Sequence, residues 1–178
     1  MNYRRFSHTQ PIMERKLEMK KIFVSTLTVL LLVIILTSTV SAALAEGERQ
    51  LPLKGSLQTA ETQQVMLPTI FVSGTGSGNA TQLGLYTLSY AAEVTIPTLA
   101  GTSVATLVAA DGSTLVGEGT GQGTVITPPL IVSIVETYTI TSGTGRFEGA
   151  SGSFTVERVL NRATGVSSGS LSGTIVLP

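Results

Sequence analysis

The 178-residue chain has no cysteine, no tryptophan and a single histidine, His8. Each absence removes chemistry. Without cysteine there is no disulfide scaffold, no thiolate nucleophile and no zinc–thiolate site. His8 precedes a long apolar run, so everything after that run lacks imidazole as well. Ser-His-Asp and Cys-His nucleophiles, and the His/Cys sites of zinc and the transition metals, are excluded there. Carboxylates alone can hold calcium, but no D-x-D-x-D-G run is present. No metal and no cofactor are expected. Charge is also scarce: 12% of residues are charged and 5% are aromatic. After Ala45, five Lys and Arg stand against nine Asp and Glu, a balance of −4, and Lys54 is the one lysine. Neutralising phosphates takes clustered cations, so nucleic acid is not an expected partner.

What is present begins with an export signal. Lys20 and Lys21 open an uncharged run from Ile22 to Ala45 that ends on Ala43-Leu44-Ala45. A basic start, an apolar middle and an A-x-A end predict a signal peptide over 19–45, cleaved after about Ala45. The stretch 22–40 is also about long enough to span a bilayer, which leaves a retained anchor as the alternative. Cleavage places the protein outside the cytoplasm, extracellular or periplasmic, with no membrane contact afterwards. Residues 1–18 read as an n-terminal extension or a misassigned start, since Met13 and Met19 are both plausible starts.

The segment 46–64 is polar and reads as a linker. From Val65 to Pro178, short runs rich in Val, Ile, Leu and Thr alternate with Gly, Pro and Asp-Gly signals, and no window keeps helical spacing over three turns. Strands are predicted over 65–73, 81–95, 103–110, from 114 into the glycine-rich 117–123, and over 130–141, 152–160 and 168–177. Seven or eight strands joined by hairpins predict an all-β domain, a single antiparallel up-and-down β-barrel of about eight strands. A β-sandwich is the alternative. About 114 residues suffice for one core without staples, since a domain of that size buries roughly two-thirds of its unfolded surface.

Few residues in this domain are suited to chemistry. Glu93, Glu118, Glu136 and Glu157 could pair as glycosidase carboxylates, but solvated strand positions are the simpler reading. Gly117-Glu-Gly-Thr-Gly-Gln-Gly123 looks like a phosphate loop, yet no helix follows it, so a turn or bulge is expected. Asn79-Ala-Thr81 fits a glycosylation sequon. Strand alternation puts Glu136 in an apolar row with Tyr138, and Arg158 in another. If both rows point inward, the two charges can meet, because a charge buried alone is costly. The candidate ligand-lining residues are Tyr86, Tyr90, Glu136, Tyr138 and Arg158. Their simpler role is to fill the interior of a small barrel.

The segment Ser142-Gly-Thr-Gly-Arg-Phe-Glu-Gly-Ala-Ser-Gly152 resembles the G-G-T-G-x-F-x-x-A-x-G stretch of plant dirigent proteins and of the allene oxide cyclase-like barrel superfamily. Asp111-Gly-Ser-Thr-Leu115 resembles the N-G-S-T-L segment that precedes it there. The likeness covers 111–156 and extends to bacterial secreted proteins that carry a similar pair. It implies an eight-stranded barrel with a central cavity, often assembled as a homo-trimer. It implies cofactor-free guidance of a reactive small molecule only where the cavity residues match, and none is carried over here. The leading expectation is a secreted, non-catalytic barrel that binds a small apolar molecule. A cofactor-free isomerase or cyclase using Glu136 or a tyrosine is the second. An extracellular surface or matrix protein is the third.

Overall fold

Eight antiparallel strands run up and down in chain order: β1 (Arg49–Met66), β2 (Thr69–Ala80), β3 (Gly84–Thr95), β4 (Ala100–Ala109), β5 (Thr114–Thr127), β6 (Ile131–Gly143), β7 (Ser151–Asn161) and β8 (Val166–Leu177). Each pairs with the next, and β1 pairs with β8 from Arg49↔Leu177 to Ala60↔Val166, so the sheet closes into a barrel. The sandwich alternative is set aside. Closure leaves no unpaired edge along most of the ladder. The computed structural model describes residues 47–178. The expected extension, the signal peptide and its cleavage near Ala45 lie outside the described residues. All eight strands and the closing ladder fall within Gly47–Pro178, which is one compact unit, so the barrel closes without any earlier residue.

The linker expected over 46–64 is not a linker. It forms most of β1, the longest strand at 18 residues. Leu53, Leu57 and Thr59 are buried, while Pro52, Lys54, Ser56 and Gln58 between them are exposed. The alternation was present in the sequence, but Thr59 and Glu61 on the inner row disguised it as a polar segment. The strand expected over 65–73 is broken at Leu67-Pro68, the turn between β1 and β2. Gly74–Gly78 does not end a strand but lies inside β2; Gly117–Gly123 lies inside β5, whose register with β6 shifts at Val116/Gly117, the bulge rather than the turn of the two expected there.

Those inward glycines answer large neighbours. Across the ladders, Gly74 faces Tyr90, Gly78 faces Tyr86, Gly119 faces Tyr138, Gly121 faces Glu136, Gly169 faces Arg158 and Gly173 faces Phe154. A Cβ on Gly74 would run into the Tyr90 ring, and one on Gly173 into Phe154. Alternating large and small residues is how a small barrel fits its interior.

The two ends differ. At the end holding the β2–β3, β4–β5 and β6–β7 turns, Leu53, Leu83, Leu115, Phe147 and Ile175 are each at most 1% exposed and plug the lumen. The two segments that resemble dirigent proteins meet here. The Ser113 hydroxyl accepts the Arg146 N–H at 3.2 Å, the Thr114 and Thr144 hydroxyls are 2.7 Å apart, and Arg146 reaches Asp111 at 3.2 Å. Gly145 is left-handed at φ 62°, where a Cβ would strike the Ser113 side chain. Phe147 thus seals the bottom of the barrel. The opposite end, ringed by the β1–β2, β3–β4, β5–β6 and β7–β8 turns, is open.

Candidate functional site

The lumen is divided by a belt of polar side chains at mid-height. Arg158, on the inner row of β7, is its centre, with only 5% of its side chain exposed. Its Nη1 donates to Glu61 Oε2 at 2.7 Å and its Nε to Glu136 Oε2 at 3.1 Å. Nη1 also lies 3.3 Å from the Ser167 hydroxyl and 3.4 Å from the Tyr90 hydroxyl. The Tyr90 hydroxyl donates to Glu61 Oε2 at 2.6 Å, and the guanidinium stands 5.1 Å from the Tyr90 ring centre. Tyr138 donates to Glu136 Oε1 at 3.3 Å and accepts from the Ser103 hydroxyl at 2.9 Å. Thr59 and Ser167 hydroxyls are 2.6 Å apart. Among the described residues, no buried side-chain nitrogen or oxygen lacks a partner. That is the condition under which charge can be held inside a barrel.

Electrostatics follow from this packing. Burial is the largest influence on Arg158 and opposes its charge, but Glu136, Tyr90 and Glu61 together outweigh it and raise the guanidinium pKa further. Burial raises the Tyr90 and Tyr138 phenols well above their usual range, with Arg158 partly countering at Tyr90 and Glu136 adding at Tyr138. Both phenols therefore stay protonated and act as donors. Burial alone pushes Tyr86 up to about 12.

The structure brings four of the five sequence-derived candidates together: Tyr90, Glu136, Tyr138 and Arg158. Tyr86 points into the lumen but stands apart, donating to the Ser56 carbonyl at 3.0 Å near the closed end. Glu61 was missed, along with Thr59, Ser103 and Ser167. Glu61 sat in the segment read as a linker. The available signal was the odd-numbered row Leu51, Leu53, Leu57, which carries on to Thr59 and Glu61.

Above the belt lies a cavity of about 70 Å³, open toward the mouth. Its walls are apolar: Ile70, Val72, Val94, Val132, Ile134 and Leu160, with the small Ala92 among them. Glu61, Glu136 and Arg158 form its floor, and Gln63, Gln122 and Arg162 stand nearer the rim. Leu99 lines it too, held in a left-handed conformation at φ 55°, unusual for a bulky side chain. Its carbonyl accepts the Gly123 N–H at 2.9 Å, which ties the β3–β4 turn to β5. Below the belt a smaller cavity of about 30 Å³ is lined by Leu57, Tyr86, Leu107, Phe154 and Leu171. Phe154 stacks on Tyr138, with ring centres 5.0 Å apart. Among the described residues, no group of His, Cys, Asp or Glu is arranged to hold a metal ion.

No protein-family model matches the chain, and no curated protein matches it in sequence. Solved structures do. The pterocarpan synthase dirigent protein GePTS1 superposes with a TM-score of 0.55 at 15% identity, over 72% of this chain and 88% of that one. The pterocarpan synthase dirigent protein PsPTS1 gives 0.53 at 16%, over 71% and 94%. The likeness establishes the fold: this is a dirigent-like eight-stranded barrel.

Proposed function

We propose that the protein is an exported, non-catalytic barrel that binds a small apolar molecule in its upper lumen. The observation that carries this reading is the open, apolar-walled cavity of about 70 Å³ over a hydrogen-bonded polar floor. Binding sites combine apolar walls with a few placed polar groups in this way. The space holds a few water-sized volumes, enough for one end of a small molecule whose remainder projects through the mouth. The basic start, apolar run and A-x-A end of 19–45 support export.

The second reading is a cofactor-free isomerase or cyclase. The two similar structures are described as synthases, and Glu136 and Tyr138 do border the lumen. The contacts favour binding instead. A general base needs an oxygen within hydrogen-bond reach of the substrate proton. Glu136 already uses one oxygen for Arg158 and the other for Tyr138. Tyr90 and Tyr138 hold their protons too firmly to serve.

Native mass spectrometry of the protein purified from its own host tests both. A retained small molecule is expected, and Ala92→Phe, which fills the upper cavity, should lose it. Glu136→Gln should retain the same molecule chemically unchanged; a different molecule in that variant would favour conversion. If nothing is retained and the neutral probe N-phenyl-1-naphthylamine gains no fluorescence with the barrel, the binding reading fails. N-terminal sequencing of the exported protein should begin at Glu46.

A further inference from the structure

The turns at the mouth of the barrel expose large apolar side chains, whereas those at the closed end bury Leu83 and Phe147; Leu85, 71% exposed, lies on the outer wall of β3 near that closed end. At the closed end Leu83 and Phe147 are each 1% exposed, and the turns carry Asp111, Arg146 and Glu148. At the mouth, Met66 is 57% exposed, Leu67 79%, Ile126 57% and Leu130 45%. These four belong to two hairpin tips, β1–β2 and β5–β6. In a barrel of eight strands in chain order, those hairpins stand on opposite sides of the opening. They also project. β1 runs on from Glu61 to Met66 beyond its last partner on β8, paired with β2 alone. None of the four mouth turns contains an acid, and Arg162 on the β7–β8 turn supplies the one charge. Each tip thus carries two neighbouring large apolar side chains at the same end of the barrel, more than the scattered single ones normal on a surface.

We propose that this end docks on a phospholipid surface, with the two tips entering the acyl boundary and Arg162 meeting the phosphates. The charge pattern fits that partner: acid-free turns avoid repulsion from headgroups, and one cation attracts them. The shape fits it too. A stable protein interface uses one continuous patch that buries well over ~1,000 Å². Two tips separated by an open lumen do not form such a patch, whereas a fluid bilayer accommodates each tip separately. The expectation of no membrane contact followed from signal cleavage alone; docking through the rim departs from it. The docking stands on the rim. Its consequence, that the lumen would face the bilayer and take lipid-soluble molecules from it, rests on the binding reading above.

Co-sedimentation of the barrel, residues 47–178, with phosphatidylcholine vesicles, with and without phosphatidylglycerol, tests the proposal. Binding is expected to both, stronger with the anionic lipid and reduced by salt only in that case. The double variant Leu67→Ser/Ile126→Ser alters two exposed tips and should keep its β-sheet circular dichroism. It should lose binding by about tenfold or more. Arg162→Gln should remove only the added gain from phosphatidylglycerol. Ala92→Phe should bind vesicles like the unmodified barrel, which separates docking from lumen occupancy. No binding to either vesicle would overturn the proposal, as would equal binding by the tip variant. So would a dimer in sedimentation velocity that the tip substitutions dissolve, since a second copy would then be the occupant.

Discussion

Arg158 is the residue on which the interior depends. Among the described residues it alone compensates two carboxylates, Glu61 and Glu136, whose side chains are 2% and 7% exposed. Removing one member of a buried ion network costs more than the network contributes, because it strands the others. Arg158→Met should therefore destabilise the barrel by about 3–5 kcal/mol. The triple variant Glu61→Gln/Glu136→Gln/Arg158→Met should recover much of that loss. Urea unfolding midpoints decide it; a triple variant no better than the single would mean that packing, not charge, holds the belt. The phenols add an alkaline limit. Tyr86, Tyr90 and Tyr138 all have folded pKa values above the roughly 10 of an unfolded chain. A phenol shifted in that direction keeps its proton when folded and releases it on unfolding. Its stabilisation is whole below about pH 10 and is lost as pH climbs from there through the folded value. In the 47–178 barrel, tyrosinate absorbance should rise together with loss of β-sheet circular dichroism. Phenolate appearing near pH 10 in an intact barrel would contradict the buried placement.

At the scale of the strands, β2, β5 and β8 supply glycine where β3, β6 and β7 supply bulk. The pairing predicts coupled energetics. Gly74→Ala should destabilise by about 1–3 kcal/mol, because its methyl would collide with the Tyr90 ring. Combined with Tyr90→Leu, the same substitution should cost clearly less than alone, with a coupling of at least about 0.5 kcal/mol. A double-mutant cycle with additive losses would show that the glycine serves its own backbone instead. The glycines also show why parts of these strands were hard to read. Gly74-Thr-Gly-Ser-Gly78 and Gly117 to Gly123 are plain in the sequence, but glycine marks a turn and a vacant space alike. What distinguishes the two is the residue across the ladder, which is fixed only by register. Where large residues alternate without glycine, as along Tyr86, Leu88 and Tyr90, face and direction were legible. The meeting of Glu136 and Arg158 was legible for the same reason: each interrupts an apolar row, and an unpaired buried charge is costly.

At the scale of the molecule, the closed barrel was readable from its succession of hairpins, and its first strand was not. Hydropathy identifies a strand by its apolar row, and the inner row of β1 turns polar at Thr59 and Glu61 because these build the belt. Glu61 is there to receive Arg158 and Tyr90, so the feature that makes the segment functional also hid it. The consequence for the whole fold can be tested by truncation. A chain beginning at Val65 keeps every residue of the domain as first read, yet lacks nearly all of β1. β2 and β8 would lose their shared partner and become open edges, and the lumen would lose Leu53, Leu57 and the Glu61 carboxylate. Open, flat edges pair with other chains. The chain 65–178 should aggregate or stay unfolded, whereas 47–178 should give a cooperative urea transition. Adding a synthetic peptide of residues 47–66 should restore some soluble barrel, since twelve ladder pairs to β2 and twelve to β8 await it. A folded, soluble 65–178 would mean that β1 is an accessory strand and that seven strands can close the sheet without it.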